Sequence, residues 1–422
     1  FFPTDFSPKK NHPEAQGSTL PEQWPISYAD MQPYYEHAER LFRLRGSTDT
    51  CHPGLQTPHF LTPPPLCSAT QELNDFFTDN GLHPYRLPQA CEFVPGCQGC
   101  QGFLCPNNCK NDSVRICLLP AIEKYNACLL EECEVIKLES DQNSVTSVIC
   151  DQHGKKIVLR GTTIILAAGA LETPRLLLKS NTKQWPNGLA NDSGLVGRNL
   201  MRHYVDLYAL LPPSQQGHPG NLKELAFNDF YQFNGHKFGT VQSFGALPPP
   251  AVIIDGMEKD LRDEGRNGLA ALFKIGKPLI RPVLKHIFSR RILFASIMED
   301  LPYLDNRVTL SNTTHDRLSI QYKIRPHEQN RIQLFRDQLA KAFSANRFML
   351  IKQAENNERI AHACGTCRFG LEPENSVLNM NNRAHGLENL YIVDSSFFPS
   401  SAGTNPSLTL AANALRVAEQ IA

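Results

Sequence analysis

A chain of 422 residues with 41% hydrophobic and 20% charged side chains can bury a large core, and its length favours two or three lobes over one. Lys plus Arg and Asp plus Glu both number 42, so no surplus of positive charge is available to hold a phosphate backbone, and nucleic acid is not an expected partner. Charges break every apolar run before it could span a bilayer, and no basic-then-apolar signal segment opens the chain, so a membrane is not an expected partner either.

Thirteen cysteines, an odd number, suit reduced thiols better than a fully paired secreted framework, which points to the cytoplasm. The chain opens on Phe1 and continues Phe2-Pro3-Thr4-Asp5-Phe6, the texture of an interior loop, and is therefore expected to be a fragment of a longer protein. Residues 1 to about 80 are rich in Pro, His and aromatics and read as a lid and inter-lobe segment. One amphipathic helix is expected in it from Tyr28 to Leu44, where Tyr28, Met31, Tyr35, Ala38, Leu41 and Phe42 recur at helical spacing.

A Gly- and Cys-rich stretch from Cys91 to Cys109 precedes a short helix from Ile116 to Ala127. Strand-like runs at Glu134 to Leu138, Val145 to Cys150 and Lys156 to Leu159 are joined by Ser140-Asp141-Gln142-Asn143 and Gln152-His153-Gly154, the composition of turns, and so predict an antiparallel meander. Thr163 to Ala168 is a short continuous apolar run, as in a strand buried on both faces. Gly169 ends it, and Thr173 with Pro174 is read as N-cap and first residue of a helix. Strand, tight turn and helix make the α/β unit that gathers ligands at the carboxyl end of a strand.

From about 205 to 360 the texture changes to α+β. Strands are expected at Ile292 to Ile297, Arg307 to Leu310 and Leu318 to Tyr322, and a long helix from His327 to about Phe348. The α/β texture then returns with a strand at Leu390 to Val393, a small-residue loop from Asp394 to Thr404, and a helix from Ser407 to Ala422 with Leu408, Ala411, Ala412, Leu415 and Ala418 on one face.

The most informative segment is Gly403-Thr404-Asn405-Pro406-Ser407-Leu408-Thr409-Leu410. With Asn405 as N-cap and Pro406 as first residue, the last helix would aim its unpaired N–H groups and about half a positive charge outward, a seat for an anion. A capped surface helix is the plainer alternative, and the residues alone leave both open. Before it, Ala361-His362-Ala363-Cys364-Gly365-Thr366 places one histidine at a glycine turn. A histidine titrating near neutrality can accept a hydroxyl proton, and an amide such as Asn405 can donate to the same oxygen.

Taken together, Ala168-Gly169-Ala170-Leu171-Glu172-Thr173-Pro174, Leu195-Val196-Gly197-Arg198-Asn199-Leu200-Met201-x-His203, Glu299 and Pro302 with Asn306 to Ser311, His362-x-x-Gly365-Thr366, Asn389 to Asp394 and Asn405-Pro406-x-Leu408-Thr409 resemble, in the same order, the signatures of the glucose-methanol-choline oxidoreductase family. The resemblance implies a discontinuous FAD-binding Rossmann-like α/β lobe, over 81–204 and 361–422, and a second α+β substrate-binding lobe over 205–360. It implies FAD as cofactor and oxidation of an alcohol or sugar-like CH–OH group by hydride transfer to flavin N5, with His362 as general base and Asn405 as its hydrogen-bonding partner. By matching position, Val135, near one end of the first meander strand, would offer its backbone to the adenine. Ala168 and Gly169 would pass close to the cofactor, Asp394 would lie by the ribityl and pyrophosphate, and Pro406 by the pyrimidine edge. A lyase on the same fold remains an alternative, and the substrate, the electron acceptor and the oligomeric state are not indicated.

No two glycines in the chain are separated by a single residue, so the Gly-x-Gly-x-x-Gly fingerprint of the family's N-terminal βαβ unit does not occur, which agrees with the expectation of a fragment. Cys97, Cys100, Cys105 and Cys109 have spacings that would suit zinc or an iron–sulfur cluster, or else are structural thiols beside the flavin lobe; a non-catalytic metal-binding protein is the corresponding alternative function. Cys364 and Cys367 read as packing residues. Between Arg266 and Arg291 no acidic residue occurs, while Lys274, Lys277, Arg281, Lys285 and Arg290 alternate with apolar residues. Such a segment could face an anionic membrane or a partner subunit, but Pro278 and Pro282 argue against one long amphipathic helix there and favour a solvated face or substrate-entry loop.

Overall fold

The computed structural model describes residues 1–52, 59–97, 99, 105–217, 219–263, 265–311, 317–356 and 360–421. Helix α1 (Tyr28–Leu41) starts at a capping box in which Ser27 Oγ accepts from the Asp30 N–H and the Asp30 carboxylate accepts from the Ser27 N–H. Its Met31, Tyr35 and Ala38 are buried, as their spacing requires. Beyond α1, the described part of the first 80 residues contains a second α-helix where only loop was expected. Helix α2 (Ser68–Asp79) buries Ala69, Leu73 and Phe77 on one face, and Trp24, buried against Phe6 and Phe398, donates from its indole to Ser400 Oγ at 2.8 Å.

Strand β1 (Tyr85–Arg86) and the short helix α3 (Leu119–Tyr125) lead into the meander β2 (Cys133–Ser140), β3 (Val145–Gln152) and β4 (Lys155–Leu159), which pairs antiparallel in that order. Strand β5 (Ile164–Leu166) is followed by helix α4 (Gly169–Lys179). Strand β5 is not covered on both faces: Ile165 is 51% exposed, because β15, its one strand neighbour among the described residues, pairs along its edge and covers neither face. Helix α4 also begins at Gly169 rather than at Thr173. Pro174 therefore sits inside it and leaves the Ala170 carbonyl without its usual partner four residues on, and the Thr366 hydroxyl fills that vacancy at 2.7 Å.

The second body is a sheet ordered β1-β7-β10-β11-β6-β14, from β6 (His203–Leu210), β7 (Leu225–Phe227), β10 (Gly239–Ala246), β11 (Ile292–Glu299) and β14 (Phe348–Lys352). A two-residue hairpin, β8 (Gln232–Phe233) and β9 (His236–Lys237), sits beside it. Alternation along β6, β10 and β11 sends Tyr204, Tyr208, Val241, Phe294 and Met298 to one face. There they share a core with Phe77 of α2 and with Ile332, Phe335 and Leu339 of helix α7 (Pro326–Ala342). The other face carries His203, Thr240, Gln242, Ala295 and Ile297 and turns toward the α/β unit. Helix α7 ends six residues short of Phe348, since Phe348 to Lys352 join the sheet as β14.

Strands β12 (Arg307–Leu310) and β13 (Leu318–Gln321) form a hairpin. Strand β15 (Leu390–Ile392) pairs parallel with β5, and helix α8 (Ser407–Ile421) packs on α1, where Tyr35 and Thr409 share a hydrogen bond. The buried seam of α8 is Thr409, Ala412, Asn413, Arg416 and Val417, whereas Ala418 is exposed. The hydrophobic pattern misplaced the seam because Arg416 is buried with partners, donating to Asn382 and Asn413.

Between β10 and β11 lie helices α5 (Pro250–Asp263) and α6 (Asn267–Phe288). The expectation that Pro278 and Pro282 would interrupt the second is not met. Both prolines are exposed, so the carbonyls they leave unpaired, one turn earlier, can reach solvent and the helix continues through them.

Candidate active site

His362 sits at the junction of the two bodies. The segment 361–364 runs beside the start of β6: the His203 N–H donates to the Ala361 carbonyl at 2.9 Å, and Met201 and Cys364 exchange both backbone hydrogen bonds at 3.0 Å. His362 itself is left-handed, φ 57°, a conformation that costs a non-glycine residue of order 1 kcal/mol and persists where its surroundings enforce it. Gly365 has φ 91°, and a Cβ there would stand 2.5 Å from the Asn199 carbonyl oxygen, so only glycine lets the two segments close.

This packing fixes a tautomer. His203 Nε2 faces two carbonyls, of Ser401 at 3.2 Å and Ala402 at 2.9 Å; carbonyls only accept, so Nε2 carries the proton. Burial lowers the His203 pKa, so the ring is neutral and its Nδ1 is a bare lone pair. That atom lies 2.9 Å from His362 Nδ1, which must then be the donor. His362 is thereby left with an unprotonated Nε2. Burial first, then the neighbouring His203 and Lys223, push its pKa down to about 3, so it does not titrate near neutrality as the sequence suggested but is held as a free base across the physiological range.

The loop that receives His203 also carries Asn405. Gly403 accepts from the Thr240 N–H at 2.8 Å and donates to the Tyr231 hydroxyl at 3.0 Å; a Cβ on it would approach the Gly239 Cα to 2.6 Å. Asn405 is not the N-cap of α8. The first helical bond runs from the Leu410 N–H to the Pro406 carbonyl at 2.9 Å, so Pro406 holds the cap position and Asn405 is released. Its Nδ2 donates instead to Gln242 Oε1 at 2.8 Å, leaving one N–H of the amide for another acceptor. The Gln242 amide nitrogen and the Thr240 hydroxyl, both buried, have no partner among the described residues. His362 and Asn405 are linked through the 401–405 loop rather than by a direct bond.

Beneath this loop lies a buried charge cluster. Lys237 Nζ stands 2.6 Å from Asp5 and 2.9 Å from Glu299, and Tyr231 joins it by donating to Asp5. Burial alone would discharge Lys237, yet the two carboxylates outweigh it and raise its pKa. Burial would likewise raise Glu299, but Lys237, His12 and Arg331 hold it well below the usual carboxylate range. His12 contacts Glu299 at 2.8 Å and would count as an ion pair by distance; burial pushes its pKa down to about 4, so it acts as a neutral donor. His203, Gln242 and this cluster were not singled out as site residues from the sequence. His203 lay within a recognised motif, whereas Gln242 and Lys237 carry no local signal.

Of the residues expected near a cofactor, Ala168, Gly169 and Asp394 meet at the ends of β5 and β15, whereas Asn405 and Pro406 precede α8. Asp394 Oδ2 accepts from the Gly169 N–H at 3.0 Å and the Thr173 hydroxyl at 2.5 Å, and Oδ1 from the Ser396 N–H and hydroxyl. Its carboxylate therefore ties α4 to the turn after β15. Gly169, φ 86°, has open space where a Cβ would point, and Ala168 caps the same turn. Val135 lies near the start of β2, beside a bulge that takes Ile136 out of the ladder. An open strand end with a glycine approach, the first turn of α8 and two orphaned buried polar groups fit a large polar cofactor such as FAD.

Of the clustered cysteines, Cys100 lies outside the described residues. Cys91 and Cys109 are brought together by the Glu92 N–H to Cys109 carbonyl bond at 2.7 Å, and Cys105 Sγ accepts from the Cys109 N–H at 3.3 Å. Cys364 and Cys367 are buried, and burial raises both thiols.

Known proteins bear on this architecture. Family models described as GMC oxidoreductase match residues 87–205 and 302–414, which makes the chain an oxidoreductase of mixed α/β fold. Paromamine 6'-oxidase of Streptomyces fradiae is 28% identical over 450 residues, covering 100% of this chain and 75% of that protein. 2-Methyl-1,2-propanediol dehydrogenase of Mycolicibacterium austroafricanum is 26% identical, covering 94% and 74%. The crystal structure of pyridoxine 4-oxidase from Mesorbium loti superposes with a TM-score of 0.61 at 18% identity, covering 99% of this chain and 80% of that one. The chain belongs to the GMC oxidoreductase family.

Proposed function

We propose that the chain oxidises a CH–OH group of an alcohol or sugar-like small molecule in an FAD-dependent reaction, with His362 as general base. The observation that carries this reading is the tautomer: His203 accepts the hydrogen bond of His362 Nδ1, which leaves His362 Nε2 a bare acceptor, and His203 itself is held by the carbonyls of Ser401 and Ala402, in the loop that continues to Asn405. The names of similar proteins, paromamine 6'-oxidase and 2-methyl-1,2-propanediol dehydrogenase among them, support the substrate class.

When bound, FAD would supply the acceptor for the carbon-bound hydrogen. Val135, Ala168, Gly169, Asp394 and Pro406 are the residues that would hold it, Asp394 through its backbone because its carboxylate is already engaged. His362 Nε2 takes the hydroxyl proton of the substrate. The free N–H of Asn405 donates to the same oxygen, and Gln242 keeps that amide from rotating. The left-handed turn at His362 and the buried charges under Gly403 keep both groups in place before substrate arrives.

The test is stopped-flow absorbance of flavin reduction on the flavin-loaded protein. His362→Ala should slow substrate-driven reduction by about 10²–10⁴-fold, the span typical of a lost general base, with flavin still bound. Unchanged reduction removes His362 from the reaction. Consumption of substrate without bleaching of the flavin would indicate a lyase instead.

A further inference from the structure

Strands β10 and β11 are antiparallel neighbours paired as far as Ala246 and Ile292, and such a pair is commonly closed by a turn of two to five residues. Here residues 247–291 intervene, and they are mostly α5 and α6. One side of this helical hairpin is accounted for by folding. Ile253 and Phe288 share a small core with Ala209, with Leu247, Leu284, Ile287 and Ile351 packed around it, and Lys277 of α6 bridges Asp255 at 2.7 Å and Glu258 of α5.

The outward side has no such explanation. Leu269, Leu272, Ile275, Leu279 and Val283 follow one another at helical spacing and are between 51% and 79% exposed. Exposed single leucines are ordinary, but five on successive turns make one continuous stripe, about 21 Å long at 1.5 Å per residue. A second exposed row, Lys274, Arg281 and Lys285, runs along the same helix and makes no salt bridge among the described residues. No acidic residue occurs between Arg266 and Arg291 to neutralise it.

We propose that α6 is a membrane-surface helix, which lays its apolar stripe into the headgroup–acyl boundary of an anionic lipid bilayer while its cations pair with lipid phosphates. An apolar row and a cation row on one helix, with the acids withheld, match that chemistry. The helix lies on the surface rather than crossing it: among the described residues no helix is long and apolar enough to span a membrane. The cations lie on the far side of the helix from the stripe, so an anionic lipid surface, whose negative potential reaches across the helix, meets both rows at once. The hairpin leaves the sheet at the Ala246 and Ile292 end, and His203 pairs with Glu299 at the opposite end, so docking leaves the candidate active site clear of the bilayer.

The experiment is sedimentation of the whole protein with vesicles of phosphatidylcholine alone or with about 30% phosphatidylglycerol, at about 0.1 M and about 1 M salt. Binding is expected on the anionic vesicles, at least tenfold weaker on the neutral ones and at high salt. Leu272→Glu with Leu279→Glu should weaken it at least tenfold with no change in thermal midpoint. In the unaltered protein, amide exchange across 267–288 should slow when anionic vesicles are added. Protein that stays in the supernatant, or exchange across α6 that vesicles do not alter, overturns the proposal. So does a concentration-dependent dimer that the same two substitutions abolish in the absence of lipid binding, which would assign the stripe to a second copy of the chain.

Discussion

The two ends of the β10–β11 pair depart from the usual partition of polar and apolar groups in opposite directions. At the Glu299 end, Lys237, Asp5 and Glu299 are buried; at the Ile292 end, a row of large aliphatic side chains is exposed on α6. Burying charge is costly unless every member is paired, and exposing a stripe wastes the driving force of folding. Each departure therefore needs a purpose outside stability. At the first end the charges hold the Gly403 turn, and with it Asn405, against the sheet. At the second the exposed face is free for a surface that the chain itself does not provide.

Breaking the buried end should have the largest effect on the fold. Lys237→Met leaves Asp5 and Glu299 as adjacent buried carboxylates without their cation, and loss of one partner of such a group typically costs about 3–5 kcal/mol. Urea unfolding followed by circular dichroism measures it. A loss under about 1 kcal/mol would mean that the cluster is hydrated in solution and does not hold the turn.

Acid should act on the same end. His12 has its pKa lowered from 6.5 to about 4 by burial, so in the folded protein it stays neutral where the unfolded chain would protonate it. Its contribution is present above about pH 6.5 and lost as pH falls toward 4, of order 3 kcal/mol in all. Unfolding midpoints between pH 7.5 and 4.5 should show the decline, and His12→Gln should make it shallower without abolishing it, because His362 and His203, lowered by the same burial, titrate with the same sign. For the reaction the sign is similar: His362, lowered to about 3, loses its proton-accepting form only in strong acid, so flavin reduction should stay level from pH 8 to below 6. An acid limb centred near 6.5 would show that the bound cofactor or substrate restores an ordinary histidine.

A smaller change sharpens the site itself. Gln242→Leu removes the acceptor that fixes the Asn405 amide and should lower kcat roughly tenfold with little change in KM, the pattern of an interaction that matters at the transition state. A rise in KM alone would place Gln242 in substrate binding instead.

These contrasts follow what the sequence could and could not reveal. The meander, β5, β15 and α1 are legible because their apolar periods and turn residues are local, and His362 and Asn405 stand out as candidates because the motifs that carry them are contiguous. Gln242 was invisible, since its role depends on β10 lying beside a loop more than 160 positions away. The N-cap reading of Asn405 failed for a related reason: a tertiary acceptor took the side chain that local capping would have used. Thr173 looked like a cap because Pro174 follows it, but Thr366, distant in the chain, supplies the bond that the proline removes. Helix α6 was misread by applying the rule for prolines in a buried helix to an exposed one.

The exposed end should be the least sensitive to substitution, and that is its test. Leu279 is 79% exposed and contributes little to any core, so Leu279→Glu should change unfolding free energy by no more than about 0.5 kcal/mol in urea, the range of ordinary surface changes. The same substitution in a side chain that packs would cost several times more. If Leu279→Glu destabilises the isolated protein by about 2 kcal/mol, the stripe is covered by the protein's own chain in solution. The contrast between the two ends of the sheet would then reduce to one buried, charged end and an ordinary hydrophobic one.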